Sequence, residues 1–413
     1  MTPWFHALGR PQDVAPFLER EIGAGADMIK SYSKVALPEF RAIAAWAHAN
    51  RVPHVGHIPE DVNLIDIFEN GFDAVAHSEE YTRVIGTSPT ESEIALAVEL
   101  TARNKVAVVP NLVAYTEIEK QARDISAILR DPEAHYMAPA VYQSFLPANN
   151  SFARRGDRFA DVIHQRHGLL KHITSRLKEA GVLLMAGTDA PIGFAGQSLL
   201  EEIQLLHEVG LSNFEALRAA TRNPCLFLKQ HSVKHAQEEF GFIGQGARAD
   251  LLLLDRDPTA DLGALASVAG VMANGVWLTR RALDAQRDSM ALGLTRERAI
   301  VDRYETLLAH RDMTALFKFV DGLQETRLPL FDNEVIAADA DAIAANGDPA
   351  TAISLMLRTR PFISHQFSAP KVTGLLMMRY GEYEQAAQQF RLALDCMPED
   401  IVAQTNLRLI GGR

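Results

Sequence analysis

The chain has 413 residues, and its 41 Lys and Arg against 52 Asp and Glu give a formal net charge of -11. Its composition, 47% apolar and 23% charged, is that of an ordinary globular protein, and the acidic balance argues against a general nucleic-acid or membrane-surface binder. The two cysteines, Cys225 and Cys396, lie too far apart for a CxxC metal site and are too few for a disulfide framework.

The N-terminal segment, MTPWFHALGRPQDVAPFLEREIGAG, lacks the basic end and the apolar core of a signal peptide. No apolar stretch of the sequence reaches the ~20 residues that a membrane span needs. We therefore expect no membrane association and a cytoplasmic location for the chain as written. A segment upstream of Met1 that carried a signal peptide would change the expected location.

Strand-like apolar runs alternate with helical patterns from about residue 22 to residue 230. Such alternation with buried parallel strands is typical of an α/β fold, either a barrel or a doubly wound sheet. A mostly helical stretch between residues 114 and 181 is too long for one crossover, so we interpret it as an insertion followed by a regular helix. The predicted strands cover residues 26–33, 52–58, 73–78, 105–112 and 182–189.

The pattern changes after about residue 236. Short apolar runs separated by Gly and Asn-Gly turns follow, which predicts short strands. From about residue 295 to the C-terminus the pattern is helical. We predict three domains: an α/β domain at 1–235, a small β region at 236–288 and an all-α domain at 289–413.

The C-terminal helical region contains an internal repeat with a period of 34 residues. Its period and its small and large packing positions resemble the tetratricopeptide repeat. Such helices form a binding surface for a protein partner, or they only pack on the main domain or on a second subunit, and the sequence leaves both alternatives open. The recurring residues are Gly347 and Gly381, Ala352 and Ala386, and Met356 and Phe390.

Four polar residues stand at the ends of separate predicted strands: Lys30, His57, His77 and Asp189. Taken alone, each histidine is more often a satisfied core residue, Asp189 a helix cap and Lys30 a surface residue. Polar residues inside strands are costly, so four of them on separate strands indicate a shared site. In a parallel barrel the carboxyl ends of the strands meet at one mouth, where two imidazoles and a carboxylate suit zinc, manganese or iron.

Six segments in a fixed order resemble the amidohydrolase superfamily, and the closest branch contains the imidazolonepropionase-like and Xaa-Pro-dipeptidase-like hydrolases. The resemblance covers about residues 14 to 285. Each motif is weak alone, and six in register are strong. The segments are GADMIKSYS, VGHIP, AVAHS, MAGTDAP, ATRNPCLFL and GARADLLLLDRDP.

The resemblance implies a (β/α)8 barrel with a small β-sandwich beside it. It implies that His57 is a metal ligand on the fifth barrel strand and His77 one on the sixth. Asp189 would be the acid of the eighth strand, which binds metal and takes a proton from the attacking hydroxide. Lys30 lies where some branches of the family carry a carboxylated lysine that bridges two metals.

The implied function is metal-dependent hydrolysis of C–N bonds, with one or two divalent ions, zinc foremost. The implied small-molecule substrates are amides, lactams or dipeptide-type compounds. Tyr32 lies two residues past Lys30, on the same strand face, and is a candidate for substrate contact. Specificity in such barrels comes from the loops after the strands, here residues 79–90, with Glu79 and Glu80, and the insertion at 114–160.

The sequence departs from the family in one respect. The first barrel strand of the family carries a His-x-His pair, and none of the 14 histidines forms one. His54 precedes His57 by three residues, and this odd offset on a strand directs His54 away from the barrel interior. His231 and His235 are helix neighbours without an HExxH context. We expect a partial barrel with strands four to eight, which begins about one helix before strand four.

The absence of the His-x-His pair leaves an alternative function open. A catalytically inactive relative would act as a protein-binding scaffold through the added C-terminal helices. A flavodoxin-like sheet with a phosphate site is disfavoured, because no Gly-rich loop follows a strand. We expect a small-molecule substrate, no nucleic acid, and a protein partner or a second copy of the chain at the C-terminal helices.

Overall fold

The structure is a computed structural model of the chain. It describes residues 10–412, with the exception of 61, 70, 191, 195, 232, 234–237, 325, 327, 364–368 and 399. His235 of the histidine pair mentioned above therefore lies outside the described residues. Among those described, no helix is both long enough and apolar enough to cross a membrane.

The chain divides into two compact units. The sheet unit comprises Arg10–Arg123 and Arg155–Ala285, and the helical unit comprises Asp124–Arg154 and Gln286–Arg413. The division into three domains stays a prediction.

In chain order the helices are α1 (Val14–Gly23), α2 (Leu37–Asn50), α3 (Leu64–Glu69), α4 (Tyr81–Ile85), α5 (Glu91–Arg103), α6 (Leu112–Arg130), α7 (Pro139–Phe145), α8 (Gly156–Glu179), α9 (Gln197–Glu208), α10 (Asn213–Ala219), α11 (Arg222–Gln230), α12 (Arg280–Ala309), α13 (Met313–Asp321), α14 (Asn333–Ala345), α15 (Pro349–Thr359), α16 (Ala369–Arg379), α17 (Tyr383–Cys396) and α18 (Ile401–Gly411).

A parallel sheet lies in the sheet unit, and among the described residues it has four strands in chain order. Ala74 of the third strand lies opposite Val55 on one side and opposite Ala107 on the other. Parallel neighbours need a crossover, and helices follow each of the first three strands. The predicted mixed α/β class with a parallel sheet is confirmed. The strands are β1 (Ile29–Ser31), β2 (His54–Gly56), β3 (Ala74–Ala76) and β4 (Ala107–Val109).

Helix α5 shows how local sequence determines an element of the sheet unit. Thr90 and Glu93 form a capping box, in which the Glu93 N–H donates to Thr90 Oγ1 and the Thr90 N–H donates to the Glu93 carboxylate. The buried residues Ile94, Ala97 and Thr101 follow at helical spacing. Ile94 and Ala97 belong to the same apolar core as Val75 and Val108 of the sheet, so the helix is held by its buried face.

The fifth predicted strand, at residues 182–189, is wrong in its extent. Leu184 forms only a single parallel bridge with β4. The Leu183 carbonyl and the Met185 N–H bond to Val108 of β4 at 3.0 and 2.9 Å. The Leu184 carbonyl accepts from Asn223 Nδ2 at 2.8 Å, and the Ala186 N–H donates to the Ala219 carbonyl at 2.9 Å. These two groups are therefore satisfied by residues of α11 and α10 and not by a neighbouring strand.

A second sheet of the sheet unit is antiparallel and consists of β5 (Leu251–Leu254), β6 (Val268–Ala273) and β7 (Val276–Thr279). Asn274 and Gly275 connect β6 to β7, with φ angles of 51° and 78°. Two central residues with positive φ are characteristic of a tight type I′ hairpin, which Asn-Gly favours. The short strands predicted in this region are therefore present.

In the helical unit, the pairs α14–α15 and α16–α17 occupy the predicted repeat. Gly347 and Gly381 lie in the turns of the two pairs, with φ angles of 94° and 85° that favour glycine. Gly374 packs against the ring of Phe390, where a Cβ atom would lie 2.9 Å from the ring. This contact shows the small-against-large packing of a helical hairpin, while the assignment to the tetratricopeptide family stays a prediction.

His54 lies in the core of the sheet unit rather than at the site. It is fully buried between the rings of Phe40 and Phe72, at centroid distances of 5.1 and 5.0 Å. Neither ring nitrogen has a hydrogen-bond partner among the described residues. Burial alone lowers the pKa of His54 to about 3, because the charged imidazolium would lose its hydration.

We expect His54 to make the protein acid-sensitive. Below a pH of about 6.5 His54 becomes protonated in the unfolded chain but stays neutral in the folded protein. The free energy of unfolding therefore falls as the pH drops from about 6.5 towards 3. Between pH 7 and pH 5 this contribution amounts to about 2 kcal/mol. Urea unfolding, followed by the fluorescence of Trp46 and Trp277, should show a smaller loss for His54→Phe. The exposed His310→Phe should behave like wild type, and equal losses in all three proteins would contradict the expectation.

Candidate active site

Three of the predicted site residues lie together in the sheet unit. His57 and His77 directly follow the last residues of β2 and β3, and their rings are 4.8 Å apart between centroids. Nδ1 of His77 lies 3.8 Å from Oδ2 of Asp189. Parallel strands end at one edge of a sheet, so the strand-end positions bring these side chains together although they are far apart in sequence.

His57 is oriented by a buried carboxylate. Its Nδ1–H donates to Oε1 of Glu80 at 2.7 Å, and both side chains are almost inaccessible to solvent. Glu80 also accepts from the Ile58 N–H at 2.9 Å and from Arg83 Nε at 2.8 Å. When His57 is neutral, its bond to the Glu80 carboxylate keeps the remaining proton on Nδ1 and leaves the lone pair on Nε2.

His77 is held in an unusual backbone conformation. Its φ is 75°, and its N–H donates to the Val109 carbonyl at 2.8 Å. Burial lowers the pKa of His77 to about 4, the charges of His57 and Lys30 act in the same direction, and Asp189 opposes them. The imidazole is therefore neutral at neutral pH. A bulky residue with positive φ persists only where the surrounding structure imposes it, and such positions cluster at functional sites.

Asp189 is fixed through its backbone while its side chain stays accessible. Its φ is 50°, and 43% of its side chain is exposed. With the Asn111 amide oriented so that both its polar atoms are satisfied, the Asn111 carbonyl oxygen accepts the Asp189 N–H at 3.0 Å. The Asn111 nitrogen then donates to the Val109 carbonyl at 2.9 Å. Gly187 permits this approach, because a Cβ there would lie 2.4 Å from a methyl of Val109.

Lys30 and Tyr32 also face this region. The Tyr32 ring lies 4.0 Å from the His57 ring, and Nζ of Lys30 is 5.9 Å from the Tyr32 ring centre. Burial raises the pKa of Tyr32, and the negative charges of Asp189 and Glu80 add to that effect. Gly56 makes the close passage of β1 and β2 possible, because a Cβ there would lie 2.3 Å from the Ser31 carbonyl oxygen and 3.0 Å from Lys30 Cγ.

The structure adds residues whose roles sequence reasoning missed. Glu80 was a loop candidate for specificity, and it proves to be the partner of His57. Glu79 is largely buried and shares a hydrogen bond with Tyr115, which also bonds to Arg166. Burial raises the pKa of Glu79, and the charges of Glu80 and Asp189 raise it further. The sequence signal for Glu79 and Glu80 was the acidic pair that follows the strand-end His77 after one residue, Ser78.

The donor types of the site fit a divalent cation. His57 has the carboxylate partner that metal-ligating histidines commonly have, His77 is neutral and Asp189 is accessible. Within the described part of the chain, no three His, Cys, Asp or Glu side chains form a ready-made metal cluster. The fit therefore rests on the chemistry of the donors and on the orientation of His57.

Comparisons with known proteins show which family the chain resembles. Residues 37–278 match the sequence profile of the amidohydrolase family. Bottromycin amidohydrolase has a similar structure, with a TM-score of 0.54 and 25% identity over 70% of this chain and 64% of that protein. A Xaa-Pro dipeptidase with methionine in its active site has a TM-score of 0.46 and 18% identity over 66% and 59% of the two chains. No curated protein sequence matches significantly. The chain spans about two thirds or less of the length of these relatives.

Proposed function

This chain belongs to the amidohydrolase family, and on that premise we propose that it is a metal-dependent hydrolase of C–N bonds in small molecules. The observation that carries the proposal is the convergence of His57, His77 and Asp189, with Glu80 orienting His57. Amides, lactams and dipeptide-type compounds are the proposed substrates. The similarity to bottromycin amidohydrolase supports this substrate class.

The residues proposed to hold the metal are His57, His77, Asp189 and Lys30. We propose zinc, as one or two ions, for which a carboxylated Lys30 would supply an anionic oxygen ligand. A bound divalent ion would lower the pKa of a water molecule and polarise the scissile carbonyl. The exposed Lys30 amine stands beside Tyr32, so its modification would need no rearrangement of the core.

The side chains of the chain itself supply proton transfer and orientation. Asp189, whose carboxylate is accessible, accepts a proton from the attacking water and delivers it to the leaving nitrogen. Glu80 keeps the proton of His57 on Nδ1. Tyr32, stacked near His57, is the proposed substrate contact, and its raised pKa keeps its hydroxyl protonated as a donor.

The proposal extends to the architecture around the site. We propose that β1–β4 and the segment around Leu184 correspond to strands four to eight of a (β/α)8 barrel. The antiparallel sheet β5–β7 would be the remnant of the β-sandwich. The C-terminal helices would act as tetratricopeptide-like contacts for a protein partner or for a second copy of the chain, in the cytoplasm.

Metal content tests the proposed function. Metal analysis of the purified full chain after loading with zinc and dialysis should find stoichiometric metal in wild type and a marked loss in His57→Ala. The matched control is His172→Ala, because His172 is a partly exposed histidine paired with Glu91. Equal and substoichiometric metal in all three proteins would refute the proposal and favour a non-catalytic scaffold.

A further inference from the structure

Glu202, on helix α9, is a buried acid that the proposed reaction does not use. The side chain is inaccessible to solvent. Its Oε2 accepts the N–H of Val113 at 2.8 Å, and it also accepts the backbone N–H groups of Asn111 and Leu112. These are the first donors of helix α6, which lack partners inside that helix. Glu202 therefore caps α6 from a segment about ninety residues away.

The other oxygen of Glu202 makes the arrangement costly. Among the described residues, Oε1 is buried and has no hydrogen-bond partner. Burial raises the pKa of Glu202 to about 7, although the three backbone donors act against the rise. A serine or aspartate directly before α6 could cap the helix without this cost. The distinguishing feature of Glu202 is that it connects two separate segments of the chain.

The start of α6 and the chain leading into α9 are also connected at Asp189. Asn111 directly precedes α6, and its side chain accepts the Asp189 N–H. Asp189 begins the loop that leads into α9, the helix that carries Glu202. Asn111 and Asp189 both have positive φ, 54° and 50°, a region that Asn and Asp adopt more readily than other non-glycine residues, and the hydrogen bond between them joins the two turns.

Further contacts hold the same loop against α6. Nε2 of Gln121 donates to the Ile192 carbonyl at 2.7 Å. Gly193 lies against Glu117, where a Cβ would be 2.7 Å from that side chain. The loop is thus attached to α6 at several points, and Glu202 fixes the end of α6 that carries Asn111.

We propose that Glu202 is a positioning residue for Asp189: its carboxylate fixes the backbone of residues 111–113, and Asn111 in turn fixes the backbone of Asp189. The consequence for hydrolysis rests on the function proposed above. The chain of contacts from Glu202 through Asn111 to Asp189 involves only residues of this protein, so it can be tested without metal or substrate.

Hydrogen exchange of the metal-free full chain tests the connection. In Glu202→Ala, the amides of Leu112, Val113 and Asp189 should exchange about ten- to a hundredfold faster, because buried hydrogen bonds are lost. Glu202→Gln keeps an oxygen acceptor and should retain most of the protection. Glu208→Gln, on the same helix but at the surface in an ion pair with Lys171, should match wild type.

Two further variants distinguish the positioning of Asp189 from a general destabilisation around α9. Asn111→Gly suits the positive φ and removes the side-chain bonds of Asn111 to Asp189 and to the Val109 carbonyl, while the bond between Glu202 and Val113 stays, so it should speed exchange at Asp189 and leave Val113 protected. Leu206→Ala weakens the buried face of α9 without touching Glu202. Unchanged exchange at Asp189 in Glu202→Ala and Asn111→Gly, or an equal increase in Leu206→Ala, would overturn the proposal.

A double-mutant cycle tests whether Glu202 affects zinc affinity through Asp189. Glu202→Ala should weaken zinc binding about ten- to a hundredfold in the wild-type background and have little further effect when Asp189→Ala is present. Equal effects in both backgrounds would show that Glu202 does not act through Asp189. A wild-type chain without zinc affinity would refute the proposed function, and the exchange results would still decide the positioning role.

Discussion

Asp189→Asn is expected to lower kcat by about 10²–10⁴-fold, because an amide cannot accept the proton of the attacking water. Asparagine has the same shape as aspartate and tolerates positive φ, so the backbone bond to Asn111 and the fold should persist. The measurement is hydrolysis of a panel of N-acyl amino acids, Xaa-Pro dipeptides and lactams by the zinc-loaded chain, with thermal unfolding measured in parallel.

Asp161→Asn provides the matched control for this substitution. Asp161 is mostly exposed and pairs with Arg123 at the surface, so the same chemical change there should leave turnover at the wild-type level. Full turnover by Asp189→Asn on every compound that wild type hydrolyses would exclude Asp189 as the proton acceptor. A lower melting temperature in Asp189→Asn alone would attribute lost turnover to folding instead.

Glu80→Ala is expected to destabilise the protein by about 2–4 kcal/mol, because the buried donors of His57 and Ile58 lose their acceptor. It should also weaken zinc binding about ten- to a hundredfold, since His57 would lose its fixed orientation. Chemical denaturation and zinc titration measure the two effects. Glu80→Gln keeps an acceptor oxygen and should be milder in both measurements.

The chain contains a surface counterpart of the His57–Glu80 pair. Glu91 accepts from Nε2 of His172 at 2.8 Å, but both side chains are exposed. Glu91→Ala should therefore cost less than about 1 kcal/mol and leave zinc affinity unchanged. Equal losses of stability and of zinc affinity in Glu80→Ala and Glu91→Ala would contradict an orienting role for Glu80.

Several parts of the fold follow from local patterns in the sequence. The Asn-Gly hairpin between β6 and β7 and the four parallel strands lie where the patterns predict them. These features depend on neighbouring residues, through turn conformation and apolar runs. The strand predicted at 182–189 is reduced to a single bridge with β4, and the Leu184 carbonyl and the Ala186 N–H bond to residues in or next to later helices.

In the candidate site, too, some residues have a local signal in the sequence and others do not. His57 and His77 could be selected from the sequence, because each is the polar residue that ends an apolar run. The alternation of a strand also directs His54 away from His57, and His54 indeed packs between Phe40 and Phe72. The partners of the site residues had no such local signal, apart from the acidic pair after His77.

By itself, the sequence determined the α/β class, the family and the residues at the strand ends, because these depend on periodicity and on the order of motifs along the chain. Only the tertiary structure decided which side chains and backbone groups are hydrogen-bonded to one another. Glu80 bonds to His57 across 23 positions, and Glu202 bonds to Val113 across 89. Such pairings depend on how the strands and helices pack, since a buried carboxylate takes the donors that packing brings to it. The orientation of His57 and the backbone of Asp189 are therefore properties of the folded chain.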